Sequence, residues 1–179
     1  HFSIVDAQGN VVSLTSSIEM PFGSRMMVGG FLLNNQLTDF TFTPSIDDIP
    51  HPNAVAGGKR PRSSMSPIIV IGPEGKTRLV IGSRGGSRII GYVIKALIGV
   101  LDWGMDIQEA IALPNVVHRG DMLELERGSD IVVHREALQA MGHRVRETRM
   151  TSGLHGIERI DDKWRGGADP RLGGLVAGN

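Results

Sequence analysis

Cysteine is absent from this 179-residue chain, which excludes disulfides and thiol chemistry. Aromatic residues make up only 4% of the chain and the formal net charge is +0, so neither composition nor charge indicates a nucleic-acid-binding surface. The longest apolar run, from Ile89 to Val100, contains Lys95 and is too short to cross a bilayer. The six histidines do not have metal-ligand spacing, so we expect no metal and no other cofactor.

Glycine and apolar residues are plentiful. The chain contains 24 glycines, which is typical of many tight turns between short strands, and its 40% hydrophobic content is enough for the core of a single domain, 1–179. Predicted strands are followed by two helical segments and then by further strands. This order predicts an α+β fold.

The segment 59–88 contains a predicted β-hairpin. Strands Ile68–Ile71 and Thr77–Ile81 are joined by a turn at 72–75 with the sequence Gly-Pro-Glu-Gly. Because hairpin strands are antiparallel, the start of the first strand lies beside the end of the second. The sequence therefore predicts that a serine cluster and a glycine-rich loop meet at one sheet edge: Ser63, Ser64 and Ser66, and Gly82–Gly86.

The glycine-rich loop runs directly into a predicted helix, Ser87–Asp102. Exposed backbone N–H groups beside a helix N-terminus suit either a phosphate site or an oxyanion hole for acyl transfer. The phosphate-loop pattern requires Lys followed by Ser or Thr after its last glycine, whereas Gly86 is followed by Ser87 and Arg88. A tight strand-to-helix turn without a ligand is the simpler interpretation, and phosphate or nucleotide binding stays an alternative.

Two other segments carry polar groups. The chain starts in strand-like sequence, His1–Val5, which predicts a hairpin with Val11–Thr15. A start within a strand is expected from either artificial truncation or specific proteolysis. Ser17 continues the row of alternating hydroxyls on the second strand. Farther along the chain, residues 31–33 are predicted to form a short buried strand, and Gln36 and Asp39 follow it. These polar side chains either bind an amino-acid-like ligand or belong to an Asx-turn that closes the loop.

Several of these stretches together resemble the small, C-terminal subunit of gamma-glutamyltranspeptidase. They occur in order over almost the whole chain: HFSIVDAQGNVVS, FGS, LLNNQLTDF, KRPRSSMSP, GSRGGSR, DWGMDIQEAIALP and GGADPR. The resemblance implies an N-terminal-nucleophile hydrolase with a four-layer αββα sandwich, completed by a large subunit cut from the same precursor. It also implies a nucleophilic threonine just before His1, which would make this chain the catalytic part of a processed heterodimer.

The resemblance also implies roles for individual residues. Gly85 and Gly86 are expected to supply oxyanion-hole N–H groups, and Ser17 to hydrogen-bond the nucleophile. The substrate α-carboxylate is expected to bind two serines and an arginine of the large subunit, and the α-amino group to bind two or three acceptors. These substrate-binding residues are Ser63 and Ser64 for the carboxylate, and Gln36, Asp39 and Glu19 for the amine.

This sequence opens at the histidine of the family's Thr-Thr-His-Phe/Tyr-Ser motif and has Ser17 where the family often has a second threonine. It departs from the family pattern at two further positions. Glu19 stands where asparagine is found in well-studied members, and Arg84 replaces a common proline before the glycine pair. The expected activity is γ-glutamyl transfer or hydrolysis with glutathione and related γ-glutamyl amides, and the expected location is the periplasm or outside the cell. A cephalosporin or glutaryl acylase, a poly-γ-glutamate-processing enzyme and a non-catalytic amino-acid-binding protein are the alternatives.

Overall fold

The computed structural model describes residues 1–178. The chain forms two compact units. Unit 1 consists of His1–Thr15 and the chain from Ser64 onward, and unit 2 of Ser16–Ser63. The predicted α+β class is confirmed, because strands and helices occupy separate stretches of the chain.

The regular elements are mostly short. The strands in chain order are β1 (Phe2–Val5), β2 (Val11–Leu14), β3 (Met27–Val28), β4 (Phe31–Leu32), β5 (Ser45–Ile46), β6 (Ile49–Pro50), β7 (Ile68–Ile71), β8 (Thr77–Gly82), β9 (Val116–Arg119), β10 (Met122–Glu126), β11 (Val145–Thr148), β12 (His155–Ile160) and β13 (Lys163–Ala168). The α-helices are α1 (Ile89–Leu101), α2 (Ile107–Ala112) and α3 (Arg135–Ala140).

A four-stranded sheet in the order β13-β12-β8-β7 forms the centre of unit 1. Strand β8 is its most buried strand, and Leu79, Val80 and Ile81 are fully covered. The predicted hairpin of β7 and β8 is confirmed, with Ile68 opposite Ile81. Consequently the segment before β7 and the loop after β8 lie at the same end of the sheet.

Helices α1 and α2 cover one face of this sheet. Leu79 and Ile81 form one core cluster with the inner faces of both helices. Gly156 and Gly167 let α2 approach closely, since a Cβ at either position would lie 3.0 Å from an isoleucine side chain of that helix. Helix α1 begins two residues later than predicted, because Gly86–Arg88 forms a 3₁₀ turn in front of it.

The hairpin of β1 and β2 packs on the opposite face of the sheet. Ser13 Oγ donates to the Ile81 carbonyl over 3.2 Å, and Ser3 Oγ donates to the His155 carbonyl over 3.4 Å. Unit 1 therefore stacks helices, a sheet and a second β-layer, which are three layers of the expected αββα order. Strand β2 ends at Leu14, so the prediction that Ser17 continues its row of hydroxyls was wrong.

A smaller sheet, in the order β11-β10-β9, also belongs to unit 1. Strand β10 pairs antiparallel with β9 and parallel with β11. Its central residues Leu123, Glu124 and Leu125 are buried, so this strand carries a carboxylate into the protein interior.

Unit 2 has little regular structure. Strands β3 and β4 form one short hairpin, and β5 and β6 form another. Among its residues only Gly23 and Phe40 are buried. The predicted strand at 31–33 is found at Phe31–Leu32 but is not buried, because Phe31 is 62% exposed. Within residues 1–178 no helix combines the length and apolarity needed to span a membrane.

Candidate active site

The glycine loop after β8 has a backbone that other residues adopt poorly. Gly85 has φ 134° and ψ 15°, and Gly86 has φ 59°. A Cβ on Gly85 would lie 2.5 Å from the ring of Tyr92, which is buried on α1. Glycine is therefore required at position 85 by both conformation and space.

The backbone N–H groups of Gly85 and Gly86 donate no hydrogen bond to any residue in the described range 1–178. Gly86 is exposed and Gly85 half-buried, so a ligand atom can reach these donors. The 3₁₀ turn and α1 follow directly, and their aligned peptide dipoles add positive potential. Two adjacent free donors at such a site match the requirements of an oxyanion hole.

The first residue of the chain lies beside the start of this loop. A Cβ on Gly82 would overlap the His1 imidazole, so the ring packs directly on that glycine. His1 Nδ1 is 2.8 Å from Thr15 Oγ1, and His1 Nε2 is 3.2 Å from Ser3 Oγ. These contacts hold the beginning of β1 against Gly82, which lies three residues before Gly85 in the same unit.

The two predicted carboxylate-binding serines fall in different units. Ser64 is half-buried and opens the second segment of unit 1, and its carbonyl accepts a 2.8 Å hydrogen bond from Ser66 Oγ. The segment reaches β7 at the sheet end that also holds the glycine loop. Ser63 is exposed and is the last residue of unit 2.

Gln36 and Asp39 are brought together in unit 2 by a single 3₁₀ turn, Gln36–Asp39. Gln36 Nε2 donates to Asp39 Oδ2, and Asn53 Nδ2 donates to the Asp39 carbonyl over 2.7 Å. Both side chains are half-buried. The turn therefore presents a carboxylate with a fixed orientation, which suits an ammonium group.

A neighbouring polar network contains Glu19, Asn35 and Ser17. Asn35 Nδ2 donates to Glu19 Oε2 over 2.6 Å, and Asn35 Oδ1 accepts from the Met20 backbone over 3.0 Å. Ser17 Oγ accepts from the Glu19 N–H over 2.8 Å. Asn35 was not among the predicted site residues, although the run of amides at 34–36 was the signal that could have identified it.

Sequence reasoning also missed a buried ionic cluster beneath the glycine loop. Glu124 is fully buried and receives hydrogen bonds from Arg88 Nε at 2.6 Å, from Arg119 Nη2 at 3.2 Å and from Arg146. Burial tends to raise the pKa of Glu124, but the three guanidinium groups outweigh it and lower that pKa from 4.5 to about 2. Because Arg88 ends the 3₁₀ turn, the cluster fixes the chain just after the glycine pair.

A second cluster anchors the C-terminal end of α2. Lys95 Nζ donates to the carbonyls of Ile111 and Leu113, and Arg171 donates to the same two carbonyls. Burial lowers the pKa of Lys95 to about 8. Arg171 in turn pairs with Glu126 over 2.5 Å and with the buried Asp169 over 3.1 Å, so the GGADPR segment is fixed to this helix end.

Metal-binding geometry is not found in the part of the chain that the structure describes, where no three His, Asp or Glu side chains converge. Backbone donors, hydroxyls and carboxylates are the polar groups that the candidate site presents.

Comparison with known proteins gives one consistent family. A family model described as gamma-glutamyltranspeptidase matches residues 1–179. The glutathione hydrolase proenzyme of Escherichia coli is 38% identical over 99% of this chain and 32% of its own length. The acylase ACY 1 proenzyme of a Pseudomonas species is 34% identical over 88% of this chain and 27% of its own length.

Solved structures agree with the sequence comparison. A chain of a mutant gamma-glutamyltranspeptidase from Helicobacter pylori has a TM-score of 0.88 and 34% identity, covering 96% of this chain and 99% of that chain. The protein described here spans about a third of the length of the curated relatives that it matches.

Proposed function

Because this chain belongs to the gamma-glutamyltranspeptidase family, we propose that the protein containing it transfers or hydrolyses γ-glutamyl groups of glutathione and related γ-glutamyl amides. In this proposal the chain is the small, catalytic subunit. The nucleophile is a threonine just before His1, supplied by self-cleavage of a precursor. The relatives named proenzymes support this origin.

The observation that carries the proposal is the pair of unengaged N–H groups at Gly85 and Gly86, held in the same unit as His1. Attack of a threonine hydroxyl on the γ-amide carbon forms a C–O bond and moves negative charge onto the carbonyl oxygen. The two donors would stabilise that charge, and the loss of one such donor raises the barrier by about 3 kcal/mol. The C–N bond of the amide then breaks, the leaving amine takes up the proton that the threonine hydroxyl has lost, and a γ-glutamyl ester remains.

The second step regenerates the enzyme. Water or an acceptor amine attacks the ester, the same two N–H groups stabilise the developing charge, and the threonine hydroxyl is released. Ser17 is proposed to hydrogen-bond this hydroxyl, a role for which its exposed position leaves room.

Recognition of the γ-glutamyl head is assigned to charged and polar side chains. Asp39, held by Gln36, and Glu19, held by Asn35, provide the negative charge for the substrate ammonium group. Ser63 and Ser64 would donate to the α-carboxylate, together with an arginine from the large subunit.

A large subunit from the same precursor is the proposed partner. Apolar side chains on the outer faces of both units support it, because a finished protein rarely exposes so many large ones. In unit 1 they include Phe2, Ile4, Val12 and Leu14, and in unit 2 Phe22, Phe31, Phe42 and Ile49.

Acylase activity is the second candidate, favoured by the relative named acylase ACY 1. An acylase for glutaryl groups would not need to bind an α-ammonium group. The hydrogen-bonded pair of Gln36 and Asp39, which offers a carboxylate to an ammonium group, therefore argues for the γ-glutamyl substrate.

The test compares two chromogenic anilides, γ-glutamyl-p-nitroanilide and glutaryl-p-nitroanilide, which differ only in the α-amino group. We expect the full protein to hydrolyse the γ-glutamyl compound with at least roughly tenfold higher kcat/KM, because the half-buried carboxylate of Asp39 would be left without its ammonium partner by the glutaryl compound. Asp39→Asn should bring the two values close together. Hydrolysis of the glutaryl compound alone would establish the acylase, and hydrolysis of neither would leave a binding role.

A further inference from the structure

Ser83, between β8 and the glycine pair, is completely buried although its side chain is polar. Its hydroxyl is hydrogen-bonded in both directions. Ser83 Oγ donates to the Arg84 carbonyl over 2.7 Å and accepts from the Gly153 N–H over 3.2 Å. Both the position of the oxygen and the direction of its proton are therefore fixed.

The Arg84 carbonyl belongs to the same peptide plane as the Gly85 N–H. In a trans peptide these two groups point in opposite directions. A hydrogen bond that holds the carbonyl therefore also sets the direction of the N–H at the other side of the plane. Since Gly85 accepts φ angles closed to other residues, this plane would otherwise rotate easily.

The residue that precedes the glycine pair does not stiffen the loop by itself. Arg84 is exposed and has no ring to restrict its backbone. Its stem lies against the buried Gly153, where an added Cβ would be 2.7 Å from Arg84 Cγ. The segment around Gly153 thus contacts the loop twice, once through the Arg84 stem and once through Ser83.

We propose that Ser83 is a positioning residue that aims the Gly85 N–H at the developing oxyanion by clamping the Arg84–Gly85 peptide against Gly153. This inference rests on the proposed acyl-transfer function. A purely structural role, in which Ser83 only satisfies the buried Gly153 N–H, would affect stability and leave turnover per folded molecule unchanged.

The experiment measures kcat and KM for γ-glutamyl-p-nitroanilide in the full protein carrying Ser83→Ala or Ser83→Cys. Cysteine has nearly the volume of serine but is a weak hydrogen-bond donor. It therefore tests whether the Ser83 hydrogen bond sets the direction of the Gly85 N–H, with less risk to folding. We expect kcat to fall about ten- to one-hundred-fold in both variants, approaching the loss seen when an oxyanion donor is removed, with KM changed less than about threefold. Rates are normalised to the fraction of processed, folded protein.

Ser129→Ala is the matched control. Ser129 Oγ also donates to a backbone carbonyl, that of Glu126, over 2.7 Å, but away from the glycine loop. It should leave kcat unchanged. Folded Ser83→Cys protein with unchanged kcat would overturn the positioning role while the proposed function stands. Absence of turnover in the unmodified protein would overturn both.

Discussion

The two units hold their candidate site residues by different physical means. In unit 1 the candidate groups are backbone amides, placed by a loop between the buried strand β8 and helix α1, which buries one of its faces. In unit 2 they are side chains, linked to one another by hydrogen bonds around Asn35 and the turn at Gln36–Asp39. The first arrangement depends on packing and the second on local polar contacts.

This difference determines which property a substitution should change. A change in the loop of unit 1 disturbs close-packed atoms, so it should affect folding and catalysis together. Unit 2 has only two buried residues, so a change in its polar network should alter ligand binding with little effect on the free energy of unfolding. Single substitutions in each unit test whether effects on folding and on ligand binding are separated in this way.

Gly85→Ala should have the largest effect. Alanine at φ 134° is strained, and its Cβ would meet the Tyr92 ring. We expect a loss of about 2 kcal/mol or more in stability and a 10²–10³-fold fall in kcat, roughly that of a lost oxyanion donor. Thermal unfolding and anilide hydrolysis measure the two effects.

Gly9→Ala is the control for backbone strain alone. Gly9 also has a positive φ, 84°, but an added Cβ would meet nothing within 4 Å. It should cost about 1–2 kcal/mol of stability and leave kcat unchanged. If Gly85→Ala behaves in the same way as Gly9→Ala, then the Gly85 N–H does not contribute to catalysis.

Glu124→Gln should have the next largest effect, mainly on the free energy of unfolding. It leaves three arginines around a neutral group, and removal of one partner from a buried ionic cluster costs about 3 kcal/mol. Denaturant unfolding measures this loss. Asp121→Asn is the control, because Asp121 and its partner Arg144 are both 70% exposed and their ion pair contributes about 0.5 kcal/mol or less.

The same carboxylate predicts a pH dependence. Its pKa is lowered in the folded protein, so its contribution to stability is complete above the unfolded value of 4.5 and is lost as the pH falls toward about 2. The melting temperature of the unmodified protein should therefore fall more steeply over this interval than that of Glu124→Gln. Parallel curves would show that Glu124 is not held as an anion by its arginines.

The sequence predicted most of the parts of unit 1 that local patterns determine. The alternating apolar residues of β7 and β8, the turn between them and the glycine loop identified the hairpin, and its antiparallel register brought Ser64 toward the loop. The glycine doublet alone left a plain turn, a phosphate site and an oxyanion hole open, and the family resemblance was needed to select a site for acyl transfer. The proximity of the doublet to the start of the chain follows from β1 packing on the sheet, as the His1 contact with Gly82 shows.

Long-range polar contacts were not predictable from one sequence. Arg88, Arg119 and Arg146 converge on Glu124 from three separate elements, and their spacing in the chain carries no periodic signal. Ser83 looked like an ordinary loop serine because burial depends on Gly153, 70 residues away. In unit 2 the polar motif was visible, but the bridging role of Asn35 depends on a turn that brings Glu19 beside it.

Asn35→Ala should have the smallest effect on folding and a selective effect on binding. It removes the 2.6 Å bond to Glu19 and the 3.0 Å bond from the Met20 N–H, but both partners are close to solvent and can bind water instead. We expect a change in stability within about 1 kcal/mol and a rise in KM for the γ-glutamyl anilide of about tenfold, because Glu19 loses its fixed direction.

The result of Asn35→Ala decides whether ligand binding and folding are separable in unit 2. Asn10→Ala is the control, since Asn10 Nδ2 makes a comparable exposed bond to Asp6 over 2.8 Å in unit 1, and KM should not respond to it. KM for the glutaryl anilide should also be unaffected by Asn35→Ala, because that compound has no ammonium group for Glu19 to bind. A large loss of stability with equal changes for both anilides would mean that unit 2, like unit 1, couples its site to its fold.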